Sequence, residues 1–135
     1  MGYNRNHLNT GIVPTDPKGN FSKRAATWHR LLQHMQEDKP YLNSNLVQED
    51  ISRALFISNR TLSRILRQEA GVNFNTFVNR YRVAEARRMM RDEEMNHLSL
   101  EALAHRAGFN SRAVFYRCFQ FTENESPARY RARQE

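Results

Sequence analysis

Residues 98–131 read LSLEALAHRAGFNSRAVFYRCFQFTENESPARYR, and this stretch decides the fold that the sequence predicts. Apolar residues at helical spacing precede Gly108 and follow Ser111, which indicates two short helices separated by a tight turn. Gly108 permits the left-handed backbone of such a turn, and Ser111 is the kind of residue that caps a helix start. The pattern is the outline of a helix-turn-helix, whose second helix can enter a DNA major groove.

An approximate copy of this pattern lies about fifty residues earlier in the chain. Residues 52–66 and 104–119 share a small residue, a turn, a capping serine and an ending in which arginine stands between apolar positions. The endings are LSRIL and FYRCF, and the second copy has one extra residue, Asn110, at its turn. Each copy is too small to bury its apolar face alone, so we expect the helix between them to act as shared core and as spacer.

Helical periodicity along the chain predicts an all-α fold of about seven helices, with two helix-turn-helix subdomains joined by a long linker helix. We expect a first helix at about 22–37, the first helix-turn-helix at about 46–71 with Asn45 or Asn43 as its cap, the linker helix at about 73–92, the second helix-turn-helix at about 98–124 and a terminal helix at about 127–133. A helix of about twenty residues spans about 30 Å, close to the ~34 Å of one DNA turn. Residues 1–21 are polar, carry proline and glycine and show no apolar period, so we assign them to a flexible arm or linker and residues 22–135 to the DNA-binding domain.

The charge of the chain favours a polyanionic partner. The net charge is +7 and the pI is about 10.2, and eighteen of the 21 basic residues are arginine. Residues 58–135 carry fourteen basic and nine acidic side chains, against seven and five in residues 1–57. The arginine guanidinium suits guanine edges and phosphates because its donors form a rigid planar fork.

Other classes of site find little support in the sequence. Cys118 is the single cysteine, and its place on an apolar helix face indicates a packed thiol rather than a nucleophile. None of the five histidines has the spacing of a helical metal pair, so we predict no metal, no cofactor and no catalytic residue. No apolar run approaches the length of a membrane span and no secretion signal is present. We therefore expect a cytoplasmic, nucleoid-associated protein without membrane contact that is not an enzyme.

Three groups of residues resemble the DNA-binding domain of the AraC/XylS family of bacterial transcription regulators. They are Gly108-Phe109-Asn110-Ser111, Phe115-x-Arg117-x-Phe119 and Ser126-Pro127-x-x-Tyr130-Arg131, and Arg82-x-x-x-Ala86 in the linker helix also matches. The resemblance covers about residues 24–133. It implies two helix-turn-helix units that bind double-stranded promoter DNA in two successive major grooves and regulate transcription, usually as an activator in contact with RNA polymerase.

The resemblance and the polar faces of the two recognition helices together define the candidate DNA-binding residues. These are Asn59, Arg60, Ser63, Arg64, Arg67, Ser111, Arg112, Ala113, Tyr116, Arg117 and Arg131. Ala113 and Val114 lack hydrogen-bonding groups, so base reading is expected mainly from the first unit. Two positions depart from the family pattern: Asn124 stands where glycine is usual, and Phe56 occupies the turn position that Gly108 holds in the second unit.

Three other functions stay open at this point. The first is a nonspecific nucleoid or RNA-binding protein, the second an enzyme such as a nuclease or a DNA repair transferase, and the third an interaction module without DNA binding. An enzyme would need clustered carboxylates or a reactive thiol, and the sequence has neither pattern. The resemblance also implies a separate effector-sensing or dimerisation domain, and residues 1–21, which look like an interdomain tether, favour one ahead of them. A stand-alone regulator of two helix-turn-helix units stays open as the alternative.

Overall fold

A computed structural model of the chain describes residues 20–134, so most of the arm predicted at 1–21 lies outside the described residues. Within that range the backbone forms seven α-helices, two single 3-10 turns (Pro40–Leu42 and Glu93–Met95) and no strand. The helices are α1 (Asn20–Asp38), α2 (Gln48–Ala54), α3 (Asn59–Glu69), α4 (Phe74–Met90), α5 (Leu100–Arg106), α6 (Arg112–Glu123) and α7 (Pro127–Arg133). The all-α prediction is confirmed.

The described chain divides into two compact units that interleave in sequence. The first contains the described residues up to Pro40 and Leu46–Phe77, and the second contains Tyr41–Asn45 and the chain from Val78 onward. Helix α4 therefore contributes its first turn to the first unit and the rest to the second. Its 17 residues correspond to about 25 Å, which is shorter than the sequence predicted.

Apolar stripes from four helices form the core of the first unit. Periodic positions on α1, α2 and α3 meet the first turn of α4, where the Phe77 ring lies 6.0 Å from the ring of Trp28. The buried apolar side chains are Trp28, Leu31, Leu32, Met35, Ile51, Leu55, Leu62, Ile65, Leu66 and Phe77. Burial of side chains of this size stabilises by about 1.5–3 kcal/mol each before the entropy cost, so this cluster holds α2 and α3 in place.

Aromatic rings dominate the core of the second unit. Phe115 contacts both Phe109 and Phe119, with ring centroids 5.3 and 5.8 Å apart, and Tyr130 of α7 packs edge-on against Phe119 at 5.5 Å. The remaining buried members of this core are Val83, Ala86, Met89, Met90, Leu103, Ala104 and Ala107. The residues that carried the family resemblance are thus mostly core and turn residues.

Polar side chains begin the helices largely as the sequence predicted. Ser58, Ser99, Ser111 and Ser126 each accept a hydrogen bond from a backbone N–H in the first turn of the helix that follows. The predicted cap of α2 by Asn45 or Asn43 is wrong. Helix α2 begins after Val47, which has an extended backbone, because the chain turns at Ser44 and Asn45 and leaves both asparagines short of the helix start. The Val47 N–H donates to the Asp50 carboxylate at 3.1 Å, since an acidic residue in the first turn can reach back. The first helix begins two residues earlier than predicted, at Asn20.

The turn at Gly108 is built around one buried carbonyl. Gly108 has φ +103°, and a Cβ added there would lie 2.1 Å from the carbonyl oxygen of Tyr41 and 2.8 Å from Nε of Arg82. That same Nε donates to the Tyr41 carbonyl at 2.7 Å, and a terminal amino group of Arg82 donates to the Asn43 carbonyl at 2.9 Å. Burial lowers the pKa of Arg82. Arg82 therefore has a structural role, since its hydrogen bonds hold Tyr41–Asn45 within the second unit.

The first turn has a different construction at the equivalent position. Phe56 adopts φ +58° and its residue surface is 90% exposed. A left-handed conformation costs a residue with a Cβ about 1–2 kcal/mol. The ring gains almost no burial in return, so the folded first unit carries local backbone strain that packing does not offset.

We expect Phe56→Gly to stabilise the first unit by about 1 kcal/mol, because relief of the left-handed strain exceeds the entropy cost of an added glycine. Phe56→Ala is the matched control, since it removes the ring but keeps the Cβ, and its unfolding free energy should stay within about 0.5 kcal/mol of the parent. Urea unfolding followed by Trp28 fluorescence measures both. Equal stabilisation by the two variants would contradict the strain explanation.

Candidate nucleic-acid interface

A network of polar side chains fixes the first recognition helix, α3, against α2. The Ser52 hydroxyl donates to Oδ1 of Asn59 at 2.7 Å, and Nε2 of Gln48 donates to the Asn59 carbonyl at 3.0 Å and to the Ser63 hydroxyl at 2.8 Å. Ser52 is buried, whereas Asn59 and Ser63 are half-buried. Of the predicted site residues, Asn59 and Ser63 therefore also hold the helix-turn-helix together.

Three arginines form a row along the exposed face of α3. Arg60, Arg64 and Arg67 follow one another at steps of four and three residues, which places them on one side of the helix. All three are exposed, and none makes a hydrogen bond or an ion pair to any residue between 20 and 134. Glu69, the one carboxylate of α3, lies 3.0 Å from Nε of Arg24 and pairs with none of the three. We call these three residues the α3 arginine row.

The second recognition helix, α6, presents a smaller polar face. Ser111 caps it, and Arg112 and Tyr116 lie one turn apart with the guanidinium carbon 5.2 Å from the ring centroid. Ala113 and Arg117 are also one turn apart and both are exposed. Arg112 forms an ion pair with Glu101 of α5, Nε to Oε2 at 3.1 Å, whereas Arg117 has no such partner among the described residues. Tyr116 is half-buried because its ring also leans on Phe115.

Arg131 lies apart from the residues of α6. From α7 it donates to the carbonyls of Met95 and Asn96, at 3.4 and 3.1 Å, and so closes the 3-10 turn that precedes α5. The structure gives this side chain a role within the second unit, and DNA contact by Arg131 stays a prediction.

Two of the four arginines of the linker helix, α4, form ion pairs inside the second unit, and Arg91, which follows that helix, is hydrogen-bonded there. Arg87 pairs with Glu123 of α6 at 2.9 Å, Arg88 pairs with Glu85 at 2.8 Å, and Arg91 donates to the Tyr130 hydroxyl at 2.8 Å. The arginines of the recognition helices differ from these, because Arg60, Arg64, Arg67 and Arg117 are exposed and have no carboxylate partner among the described residues. An unpaired, solvated guanidinium is free to replace water with a phosphate or a base edge.

Two residues with evident roles at this surface were missed by the sequence reasoning: Gln48, which holds Ser63, and Glu101, which holds Arg112. Each lies on the helix that precedes a recognition helix. Helical periodicity identifies both residues only as solvent-facing. No sequence pattern predicts which polar residue on one helix contacts which residue on the next. The one feature that could have identified Gln48 and Glu101 is their shared position, since each lies in the first turn of its helix, α2 or α5.

Features that would favour catalysis are weak in the described part of the chain. Burial raises the pKa of the half-buried Cys118 thiol, an effect that nearby Arg117 and Arg82 oppose, so the reactive thiolate is disfavoured. Between residues 20 and 134 no group of three His, Cys, Asp or Glu side chains is placed to hold a metal ion. None of the helices in that range combines the length and hydropathy that a membrane span requires.

Known proteins resemble this chain in sequence and in fold. The helix-turn-helix domain family matches residues 51–133. Regulatory protein PocR from Salmonella typhimurium is 24% identical over 132 residues, which cover 94% of this chain and 43% of that protein. The chain spans less than half the length of the curated relatives that it matches.

Solved structures of other proteins have the same fold as this chain. The C-terminal domain of AraT, a response regulator from Geobacillus stearothermophilus, superposes with a TM-score of 0.66 at 27% identity and covers 78% of this chain and 84% of its own. An AraC-type regulator from Chromobacterium violaceum has a TM-score of 0.66 at 21% identity, with 81% and 96% covered. The chain belongs to the AraC/XylS family of helix-turn-helix transcription regulators and carries the family's DNA-binding domain.

Proposed function

We propose that this chain is a sequence-specific transcription regulator, acting as an activator, whose two recognition helices read successive major grooves of promoter DNA. The observation that carries the proposal is the α3 arginine row, on the helix that a helix-turn-helix inserts into DNA. Its three guanidinium groups are exposed and have no partner in the described part of the chain. Arginine reads guanine through paired donors to O6 and N7. A row of this kind favours base reading together with phosphate contacts.

The partners follow from the same proposal. Double-stranded DNA is the primary one, and RNA polymerase is proposed as the protein that an activator contacts at a promoter. An effector-sensing or dimerisation domain is proposed to act with this domain, because AraT is a response regulator whose aligned part is a C-terminal domain. The site of action is then the nucleoid in the cytoplasm, and neither a cofactor nor catalytic turnover is part of the proposal.

Selection of bound sites from random duplexes tests the proposal most directly. We expect an enriched sequence that competes at least about a thousandfold better than random DNA at physiological salt. Footprinting of that site should show two protected segments about one helical turn apart. Enrichment of no sequence would point to a nonspecific nucleoid or RNA-binding protein, and metal-dependent cleavage of the duplex would point to an enzyme.

Within that site we expect Arg64→Ala to weaken binding by about 1–3 kcal/mol, roughly 5- to 150-fold, and to relax the preference at one base pair. The reason is that a bidentate contact to guanine is lost while the rest of the α3 arginine row is kept. Competition with duplexes that vary one base pair at a time measures both effects. Arg53→Ala, which removes an exposed arginine of α2, is the control and should leave the base preference unchanged.

A different outcome would assign Arg64 another role. If Arg64→Ala weakens binding to all duplexes equally and the salt dependence loses about one unit of slope, the residue contacts phosphate and does not read a base.

A further inference from the structure

Arg112 differs from the other exposed arginines of the recognition helices. Of Arg60, Arg64, Arg67, Arg112 and Arg117, it is the one with a carboxylate partner among residues 20–134. The partner is not a neighbour on the same helix. Glu101 belongs to α5, so the contact joins the two helices of the second helix-turn-helix.

Two contacts fix the orientation of the Arg112 guanidinium. Its Nε lies 3.1 Å from Oε2 of Glu101, and its central carbon lies 5.2 Å from the centroid of the Tyr116 ring. The carboxylate thus lies beside the Nε atom of the guanidinium, and the guanidinium carbon lies over the Tyr116 ring. The two terminal amino groups have no hydrogen-bond partner among the described residues. They form the end of the fork that matches O6 and N7 of guanine.

The ion pair has little value as a stabilising contact, because the side chains of Arg112 and Glu101 are 66% and 50% exposed. Its effect on binding can be larger. A free arginine side chain loses much rotamer freedom when it is fixed against a base, and holding it beforehand removes part of that cost. Such preorganisation is useful only where the geometry of the bound arginine matters, as in a bidentate base contact.

We propose that Glu101 is a positioning residue that presents Arg112 end-on to a guanine, and that the second unit therefore selects sequence in its own right. This inference rests on the proposed function. It also revises the expectation from sequence that base reading belongs mainly to the first unit, which considered Ala113 and Val114 but had no means of seeing the Glu101 contact.

The test uses the intact chain, its selected duplex and variants of that duplex at each base pair protected by the second unit. Glu101→Gln keeps the size of the side chain and removes its charge. We expect this variant to lose about 2- to 10-fold of the preference for guanine at one base pair, while its affinity for random DNA and its salt slope stay at the parent values. Arg112→Lys should lose the preference at the same base pair, because an ammonium group cannot form the bidentate contact.

The double variant separates positioning from two independent contacts. If Glu101 acts through Arg112, Glu101→Gln in the Arg112→Lys background should cause no further loss of preference. Unfolding midpoints of the three variants should match the parent, which excludes a structural explanation that would lower all affinities together. Glu101→Ala provides a second removal of the carboxylate and should repeat the result of Glu101→Gln.

Two results would overturn the inference. If Glu101→Gln tightens binding to every duplex and steepens the salt dependence by about one unit, Glu101 merely screens an arginine that contacts phosphate. If the guanine preference is the same in parent and Glu101→Gln, the carboxylate has no part in base reading. Failure of the proposed function is a separate result, since the parent chain itself would then prefer no duplex over random DNA.

Discussion

The Gly108→Ala variant is expected to lose about 3–6 kcal/mol of unfolding free energy in the second unit. The added Cβ meets a backbone oxygen at 2.1 Å, a contact that cannot be relieved by a side-chain rotation. The left-handed backbone adds about 1–2 kcal/mol of strain, displacement of packed neighbours about 1–3 kcal/mol, and the loss of the hydrogen bond to the Tyr41 carbonyl about 1 kcal/mol. We therefore expect the turn between α5 and α6 to open and DNA affinity to fall with it.

Gly71→Ala is the matched control. Gly71 also has positive φ, +70°, but a Cβ there would meet no atom within 4 Å, so only the conformational strain of about 1–2 kcal/mol is expected. Hydrogen exchange of the amides in α5 and α6, together with urea unfolding followed by circular dichroism, measures the difference between the two variants. Similar losses for Gly71→Ala and Gly108→Ala would show that the crowding at Tyr41 is relieved by a small backbone shift.

The second large effect is expected for Arg82→Met, which keeps an unbranched side chain and removes the guanidinium. The carbonyls of Tyr41 and Asn43 then lose their charged donors. An unpaired acceptor costs about 1–3 kcal/mol where it is buried, as at Tyr41, and less where water can replace the donor, as at the exposed Asn43. We expect a loss of about 2–4 kcal/mol in the unfolding free energy of the second unit. Arg106→Met is the control, because Arg106 is an exposed arginine of the second unit with no side-chain partner among the described residues, and a surface change of this kind is expected to stay within about 0.5 kcal/mol.

The effects of the two substitutions on the unfolding free energy should not add, because the Arg82 guanidinium and a Cβ at position 108 both contact the Tyr41 carbonyl oxygen. The double variant Arg82→Met with Gly108→Ala should be clearly more stable than the sum of the two losses predicts. Additive losses in urea unfolding would mean that Arg82 and the turn stabilise the second unit independently.

Most of the fold could be predicted from local sequence patterns, such as helix caps and apolar stripes, whose residues lie within a few positions of one another. The capping serines, the apolar stripes of Phe115 and Phe119 and the Ser126-Pro127 start of α7 depend on local backbone chemistry, and the terminal helix has the predicted bounds. The same locality explains the error at α2. A cap from Asn45 or Asn43 is equally good in sequence, and only the path of the chain through Val47 decides against it.

The sequence predicted the exposure of the arginines on the recognition helices but not the contacts of the candidate site residues. Periodicity placed the α3 arginine row and Arg117 on exposed helix faces, and they are there. Whether a surface side chain is paired depends on its neighbours in space, and these can be far away in sequence. Arg82 and Tyr41 are 41 positions apart, and Gln48 and Ser63 are 15 apart. No periodic pattern encodes such contacts, so the Glu101 pair and the Gln48 network required the structure.

The short segment Tyr41–Asn45 limits where the chain can be cut into parts that fold separately. It lies between α1 and α2 in sequence, yet it supplies the carbonyls that Arg82 holds in the second unit. A fragment that begins at residue 78 would keep helices α5 to α7. It would lack Tyr41–Asn45, whose Tyr41 carbonyl packs against the turn at Gly108. Chimeras that exchange the second helix-turn-helix between family members must therefore transplant residues 41–45 with it, and shuffling at the linker helix alone would separate two parts of one folding unit.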